Sequence, residues 1–276
     1  MDYDEVFAPV ARIDTVRLIV ALTAHHGWKI IQMDVVSAYL NGYLEEDVYI
    51  EQPIGYVVKG QERKVCKLNK ALYGLKQGAR TWNGRIDAYL QKHGYMKSPH
   101  EYALYTKVEK NDGIMIICLY VDDMIFTGNN PYMYKEFKRM MMKEFEMTDL
   151  GELNYFLGVE VKQSEDGIFI SQKKYAEEIL KKFKMENSKP ISTPADPWLK
   201  LSKESKEGAV DSTLFKSLVG SLRYLTFTRP DIMYAVGVVS RHMKKPKEDH
   251  FTAAKRILRY VNGTRGHGLK YPPVRS

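Results

Sequence analysis

The residues best suited to do chemistry are two adjacent aspartates, Asp122 and Asp123, in the run Tyr120-Val121-Asp122-Asp123. They stand between two strongly apolar segments, 114–121 before and 124–126 after, a setting that packing alone does not ask for. Carboxylates this close repel, and one takes up a proton near neutrality unless a cation holds both ionised. A bound divalent metal supplies that charge. A third carboxylate at a neighbouring strand end would complete an oxygen cage, and Asp34, 88 residues upstream at the end of the apolar run 28–33, is the candidate. Oxygen donors alone point to Mg²⁺ rather than zinc, and two such ions suit in-line phosphoryl transfer. The alternative is that Asp122-Asp123 forms an exposed hairpin tip, for which aspartate is also well suited.

Stepping along the chain, the elements that must position these carboxylates follow from period and punctuation. Val16, Ile19, Val20 and Thr23 step at helical spacing behind Asp14 as a candidate N-cap, with Gly27 as the stop. The segment 28–33 mixes aromatic and β-branched residues and predicts a strand ending at Asp34. Short strands are expected at 48–50 and 65–68, and Trp82, Ile86, Tyr89 and Leu90 predict a helix running from Arg80 to near Gly94. Segments 102–108 and 114–121, separated by Asn111-Asp112-Gly113, predict a hairpin. Asn130-Pro131 is an N-cap and N1 pair for a helix carrying Tyr134, Phe137, Met141 and Phe145, and 155–161 with 168–170 read as a strand pair. This order gives an α+β fold, an antiparallel sheet with helices on one face. Past Ser171 the chain reads as helical, apart from a proline-bearing linker at 189–197.

Charge divides the chain at about the same place. Residues 1–170 hold 20 Lys and Arg against 24 Asp and Glu, and residues 171–276 hold 22 against 10, within a net charge of +8. Such polarity marks either a polyanion partner, through counterion release, or a solvated basic surface. Two domains are therefore expected, 1–170 and 171–276. The richest apolar run has eight residues, far short of a membrane helix. Met1–Glu5 has no basic or apolar leader character, so an intracellular location is expected. Cys66 and Cys118 have no metal or disulfide spacing, and both sit in apolar surroundings that suit buried free thiols.

Five blocks carry a resemblance. Gln32-Met33-Asp34-Val35-Val36-Ser37-Ala38-Tyr39-Leu40-Asn41-Gly42, then Ala71-Leu72-Tyr73-Gly74-Leu75-Lys76-Gln77-Gly78-Ala79-Arg80-Thr81-Trp82, then Tyr120-Val121-Asp122-Asp123, are followed by Thr148–Leu153 with Tyr155–Glu160, and by Leu218–Leu222 with Thr228–Ile232. In this order they resemble the reverse transcriptase of copia-type LTR retrotransposon Pol polyproteins, over essentially the whole chain.

The resemblance implies a polymerase palm with partial fingers over 1–170 and a basic helical thumb with the start of a connection region over 171–276. It implies an RNA-directed DNA polymerase that adds deoxynucleoside triphosphates to a primer on an RNA or DNA template with two Mg²⁺ ions. Asp34, Asp122 and Asp123 would be the catalytic metal ligands, joined by the Val35 carbonyl. Tyr39 would meet the sugar of the incoming nucleotide and reject a 2′-hydroxyl. Gln77, Gly78 and Arg80 would line the nucleotide pocket, and Phe156, Leu157, Gly158 and Val159 would form the primer grip. Lys244, Lys245, Lys255 and Arg256 are candidates for the nucleic-acid backbone, with a solvated helix face as the alternative. Val36, Tyr39 and Gly78-Ala79 depart from the family's common lysine, phenylalanine and Ser-Pro, and none of these removes a metal ligand. Relative to the family, the chain is expected to start after the basic fingers residues and to stop before a ribonuclease H domain. A cytoplasmic or particle-borne life is implied too. A transposon relic that folds and at most binds nucleic acid is the alternative, and a nucleotidyl cyclase, another palm-bearing enzyme, fits the basic helical region poorly.

Overall fold

A computed structural model of the chain describes residues 8–198, 201–203 and 206–274. Met1–Glu5, considered above for a leader, lies outside them. The chain divides into two compact units, Met1–Leu153 and Asn154–Ser276.

The first unit contains helix α1 (Ile13–His26), β1 (Ile31–Val35), a 3-10 turn (Ala38–Asn41), β2 (Tyr43–Ile50), β3 (Cys66–Lys70), α2 (Gly78–Lys92), β4 (Met96–Lys97), β5 (Leu104–Val108), β6 (Ile114–Tyr120), β7 (Asp123–Gly128), α3 (Pro131–Glu144) and β8 (Met147–Glu152). Six strands form one antiparallel sheet in the order β4-β5-β6-β7-β1-β8, while β2 and β3 form a separate ribbon. Local chemistry explains most boundaries. Gly27 closes α1 in the left-handed conformation at φ 66°. Asn130 Oδ1 accepts from the Tyr132 amide at 2.9 Å and Pro131 opens α3, as the sequence predicts. Arg12, not Asp14, occupies the cap position of α1.

Alternation along the strands sorts the side chains onto two faces. Met33 and Val35 of β1, Met115, Ile117 and Leu119 of β6, and Met124 and Phe126 of β7 face one way. Trp82, Ile86 and Leu90 of α2 and Met133, Phe137 and Met141 of α3 close over them. Each such buried side chain stabilises the unit by roughly 1.5–3 kcal/mol. Gln32, Asp34, Asp123, Ile125 and Thr127 therefore point to the opposite face. That face is not bare, which corrects the expectation of helices on one side: Thr23 of α1 donates to Thr127 Oγ1 at 3.0 Å, both fully buried. Cys118, Ile125 and Thr127 are each fully buried there, and an apolar patch of that size needs cover. Cys66 is also corrected, being exposed on the uncovered β2–β3 ribbon, whereas Cys118 is buried as expected.

The second unit contains β9 (Tyr155–Phe156), β10 (Val159–Ser164), β11 (Gly167–Ser171), α4 (Lys173–Lys182), α5 (Ser212–Leu225), α6 (Met233–Ser240), α7 (Glu248–Gly263) and β12 (Gly268–Tyr271). Its sheet runs β12-β11-β10-β9, beside a helical core of Ile179, Leu180, Leu218, Leu222, Val236, Ile257 and Leu258. Two expectations change here. The hairpin β10–β11 belongs to this unit because β12, about 100 residues downstream, pairs with β11 from Ile168↔Tyr271 to Ser171↔Gly268, so the compact units part at 153/154 rather than at 170/171. The strand expected over 155–161 is broken, because Leu157 (φ 50°) and Gly158 (φ 76°) reverse the chain and pair Phe156 with Val159. No helix among the described residues is long and apolar enough to cross a membrane.

Candidate active site

Asp34 and Asp123 are direct partners across the β1–β7 pairing, so their side chains emerge side by side on the α1 face. Asp122 occupies the two-residue turn Val121-Asp122, closed by the pairing of Tyr120 with Asp123. Val121 adopts φ 61°, which a two-residue hairpin of mirror-image type requires and which a β-branched residue resists. Neighbouring elements hold the turn in place. The Trp82 indole of α2 donates to the Val121 carbonyl at 2.7 Å, and the Val35 amide of β1 donates to the Asp122 carbonyl at 3.1 Å.

Electrostatics mark the cluster as unneutralised. Partial burial and the charges of Asp122 and Asp123 raise the Asp34 carboxyl above the usual aspartate range. Burial raises Asp123 as well, with Asp122 adding to the effect and a hydrogen bond from Gln32 Nε2 at 3.1 Å opposing it. Among the described residues, no three His, Cys, Asp or Glu side chains already close around a single point. The donor chemistry still fits a hard divalent cation, since three carboxylates gather at the ends of β1 and β7 and burial, with the charge of Asp122, holds Asp34 and Asp123 back from ionising.

Around this edge the predicted nucleotide residues take different positions. Tyr39, half-buried in the 3-10 turn, packs tilted against Tyr73 with ring centroids 4.7 Å apart. Gln77 is buried at the start of α2, and a Cβ at Gly78 would meet Tyr39 Cδ2 and the Leu72 carbonyl, each at 3.3 Å. A cavity of about 170 Å³ is lined by Tyr39, Ala79, Trp82, Leu119 and Val121 among others. Arg80 turns instead to Glu46 of the β2–β3 ribbon, with which it forms an ion pair. The Val35 carbonyl lies one residue past Asp34, on the last residue of β1.

The remaining expected site residues lie in the second unit. Phe156, Leu157, Gly158 and Val159 make the tight turn between β9 and β10, and the Tyr224 hydroxyl of α5 donates to the Leu157 carbonyl. Lys244, Lys245 and Lys255 are exposed, the last lying 4.2 Å over the Phe251 ring. Arg256 is engaged with Asp196 at 3.4 Å and Thr193 at 2.9 Å, tying the 189–197 linker to α7. Sequence reasoning treated Trp82 as a core position and passed over Gln32. The signal for Gln32 was present, since a residue two before Asp34 on a strand shares its face.

An antiparallel sheet with packed helices, presenting three carboxylates at the ends of two neighbouring strands, defines a mixed α/β domain. The family model described as reverse transcriptase (RNA-dependent DNA polymerase) matches residues 1–197. The chain is 40% identical over 278 residues to the retrovirus-related Pol polyprotein from transposon TNT 1-94 of Nicotiana tabacum, covering 98% of this chain and 21% of that protein. It is also 40% identical to the corresponding polyprotein from transposon RE1 of Arabidopsis thaliana, over 98% of this chain and 18% of the relative. A putative transposon Ty5-1 protein of Saccharomyces cerevisiae is 36% identical, with 87% of this chain and 78% of that protein aligned. The chain thus belongs to the reverse transcriptase family, on the copia-type branch that its motifs resemble. It spans about a fifth of the length of the two plant polyproteins.

Proposed function

We propose that this chain carries the catalytic centre of an RNA-directed DNA polymerase, which extends a primer on an RNA or DNA template with deoxynucleoside triphosphates. The observation that carries this reading is the pairing of Asp34 with Asp123 on adjacent strands, with Asp122 in the adjoining turn. On this reading the sheet of the first unit is the palm, the β2–β3 ribbon belongs to the fingers, and the second unit is the thumb with connection residues.

Asp34, Asp122 and Asp123, with the Val35 carbonyl, would hold two Mg²⁺ ions, which when bound lower the charge cost of the attacking and leaving oxygens. The protein's own work is positional. Trp82 and the Val35 amide fix the turn that aims Asp122, and Gln32 orients Asp123. Tyr39 would lie under the sugar, where a bulky ring leaves no room for a 2′-hydroxyl. Gly78 allows the start of α2 to approach that ring closely. Phe156–Val159 would hold the primer end, while exposed Lys244, Lys245 and Lys255 would track the phosphate backbone. Arg256 contributes through the linker it pins.

Primer extension on a homopolymer template with Mg²⁺ tests the reading. The wild-type chain is expected to incorporate nucleotide, and the Asp122→Asn, Asp123→Asn double variant to lose on the order of 10³-fold or more. Equal background in both overturns it, and salt-dependent template-primer binding without extension would then mark a folded relic.

A further inference from the structure

We propose that Tyr73 is a positioning residue for Tyr39, so that the ring meeting the sugar of an incoming nucleotide is backed by a second ring packed tilted against it. This assignment rests on the polymerase reading above. Tyr39 lies in the 3-10 turn Ala38–Asn41, entered through Ser37 at φ 52°, so no strand pairing fixes its ring. Side chains and backbone around it must do so. Gly78 brings the start of α2 against the ring, and the Tyr73 ring lies 4.7 Å away at an interplanar angle of 30°.

The Tyr73 hydroxyl lies by the backbone of Ala38 and Tyr39, and Asp122 lies near enough for its charge to act on it. Gly74, at φ 93°, turns the chain immediately afterwards, a conformation other residues rarely adopt. Yet Tyr73 remains 55% exposed, so burial of apolar surface does not account for its placement. What its ring contact achieves is to brace the Tyr39 ring. A steric wall that must distinguish a hydrogen from a hydroxyl works only if the wall does not yield, and a ring braced on one side rocks more than a ring braced on two.

The test compares kcat/KM for dATP and ATP in primer extension by the wild type, Tyr73→Ala, Tyr73→Phe and Tyr39→Ala, with melting curves to establish that each variant is folded. Tyr73→Ala is expected to lower the preference for dATP about tenfold, chiefly through a fall in KM for ATP. Tyr73→Phe keeps the packed ring and should retain most of the preference. A merely structural role would slow both nucleotides together and leave their ratio unchanged. A wild-type ratio in Tyr73→Ala alongside a collapsed ratio in Tyr39→Ala overturns the assignment, since the gate would then act without its brace. An unchanged ratio in both variants removes the gate itself and the assignment with it. A wild-type chain that extends no primer with either nucleotide overturns the polymerase reading first, an outcome distinct from the other two.

Discussion

The turn Val121-Asp122 and the turn Leu157-Gly158 each reverse a strand with two residues, yet they reach that shape by opposite routes. Leu157-Gly158 has a glycine at φ 76°, a position where glycine is at ease. Val121 takes φ 61° without that help, as a β-branched residue for which the conformation costs on the order of 1–3 kcal/mol. The difference lies in what surrounds each. Bonds from Trp82 and Val35, on two separate elements, impose the first turn, and that turn presents a carboxylate. The second is encoded largely in its own two residues and fastened by one hydroxyl, that of Tyr224. Leu157 also stands at a positive φ (50°), so what sets the first turn apart is a β-branched residue held there by tertiary hydrogen bonds from two elements.

Removing the imposed bond should separate the two turns most sharply. Trp82→Phe keeps an aromatic ring against Phe145 but leaves the Val121 carbonyl without its donor, which should cost about 1–3 kcal/mol in urea unfolding. Primer extension should fall about tenfold, because the turn that aims Asp122 loosens. If activity survives intact, the indole bond has no role in aiming that carboxylate. Gly158→Ala strikes the encoded turn: its Cβ would stand 2.7 Å from the Tyr224 hydroxyl at a positive φ, so a loss of about 1–2 kcal/mol in thermal unfolding is expected. Val121→Gly should run the other way. It relieves the backbone and gains about 1 kcal/mol in denaturant midpoint while lowering incorporation; a loss of stability would show that Val121 is not strained. Smallest is Tyr224→Phe, which removes the donor to Leu157 and should cost about 0.5–1.5 kcal/mol by the same measurement.

What the sequence made legible follows the strength of its local signals. Asp34 at a strand end, the Asn111-Asp112-Gly113 hairpin and the Asn130-Pro131 helix start all have chemistry that acts within a few residues, and each is realised. β8 escaped notice because Thr148, Asp149 and Leu150 are exposed, so no alternation marks an edge strand joined to β1 through its backbone. β12 has four residues, and its partner lies about 100 positions upstream. The charge boundary near 170 misplaced the division for the same reason, since net charge records what solvent meets and not which strands pair. The aim of Arg80 was likewise invisible, because Glu46 sits on a ribbon whose path depends on the long loop between β2 and β3. At the carboxylates, residue type and strand ends were readable, whereas the bond from Trp82 spans 39 residues and required the fold.

Helix α2 touches the Tyr39 ring through Gly78 and the carboxylate turn through Trp82, four residues apart on one rigid rod. That distance is about 6 Å along the axis, slightly more than one turn. The helix therefore acts as a ruler common to the Tyr39 ring and the Asp122 turn, and neither end can drift without dragging the other. One residue inserted between them would swing the indole about 100° around the axis, so this stretch should tolerate substitution far better than any change in length.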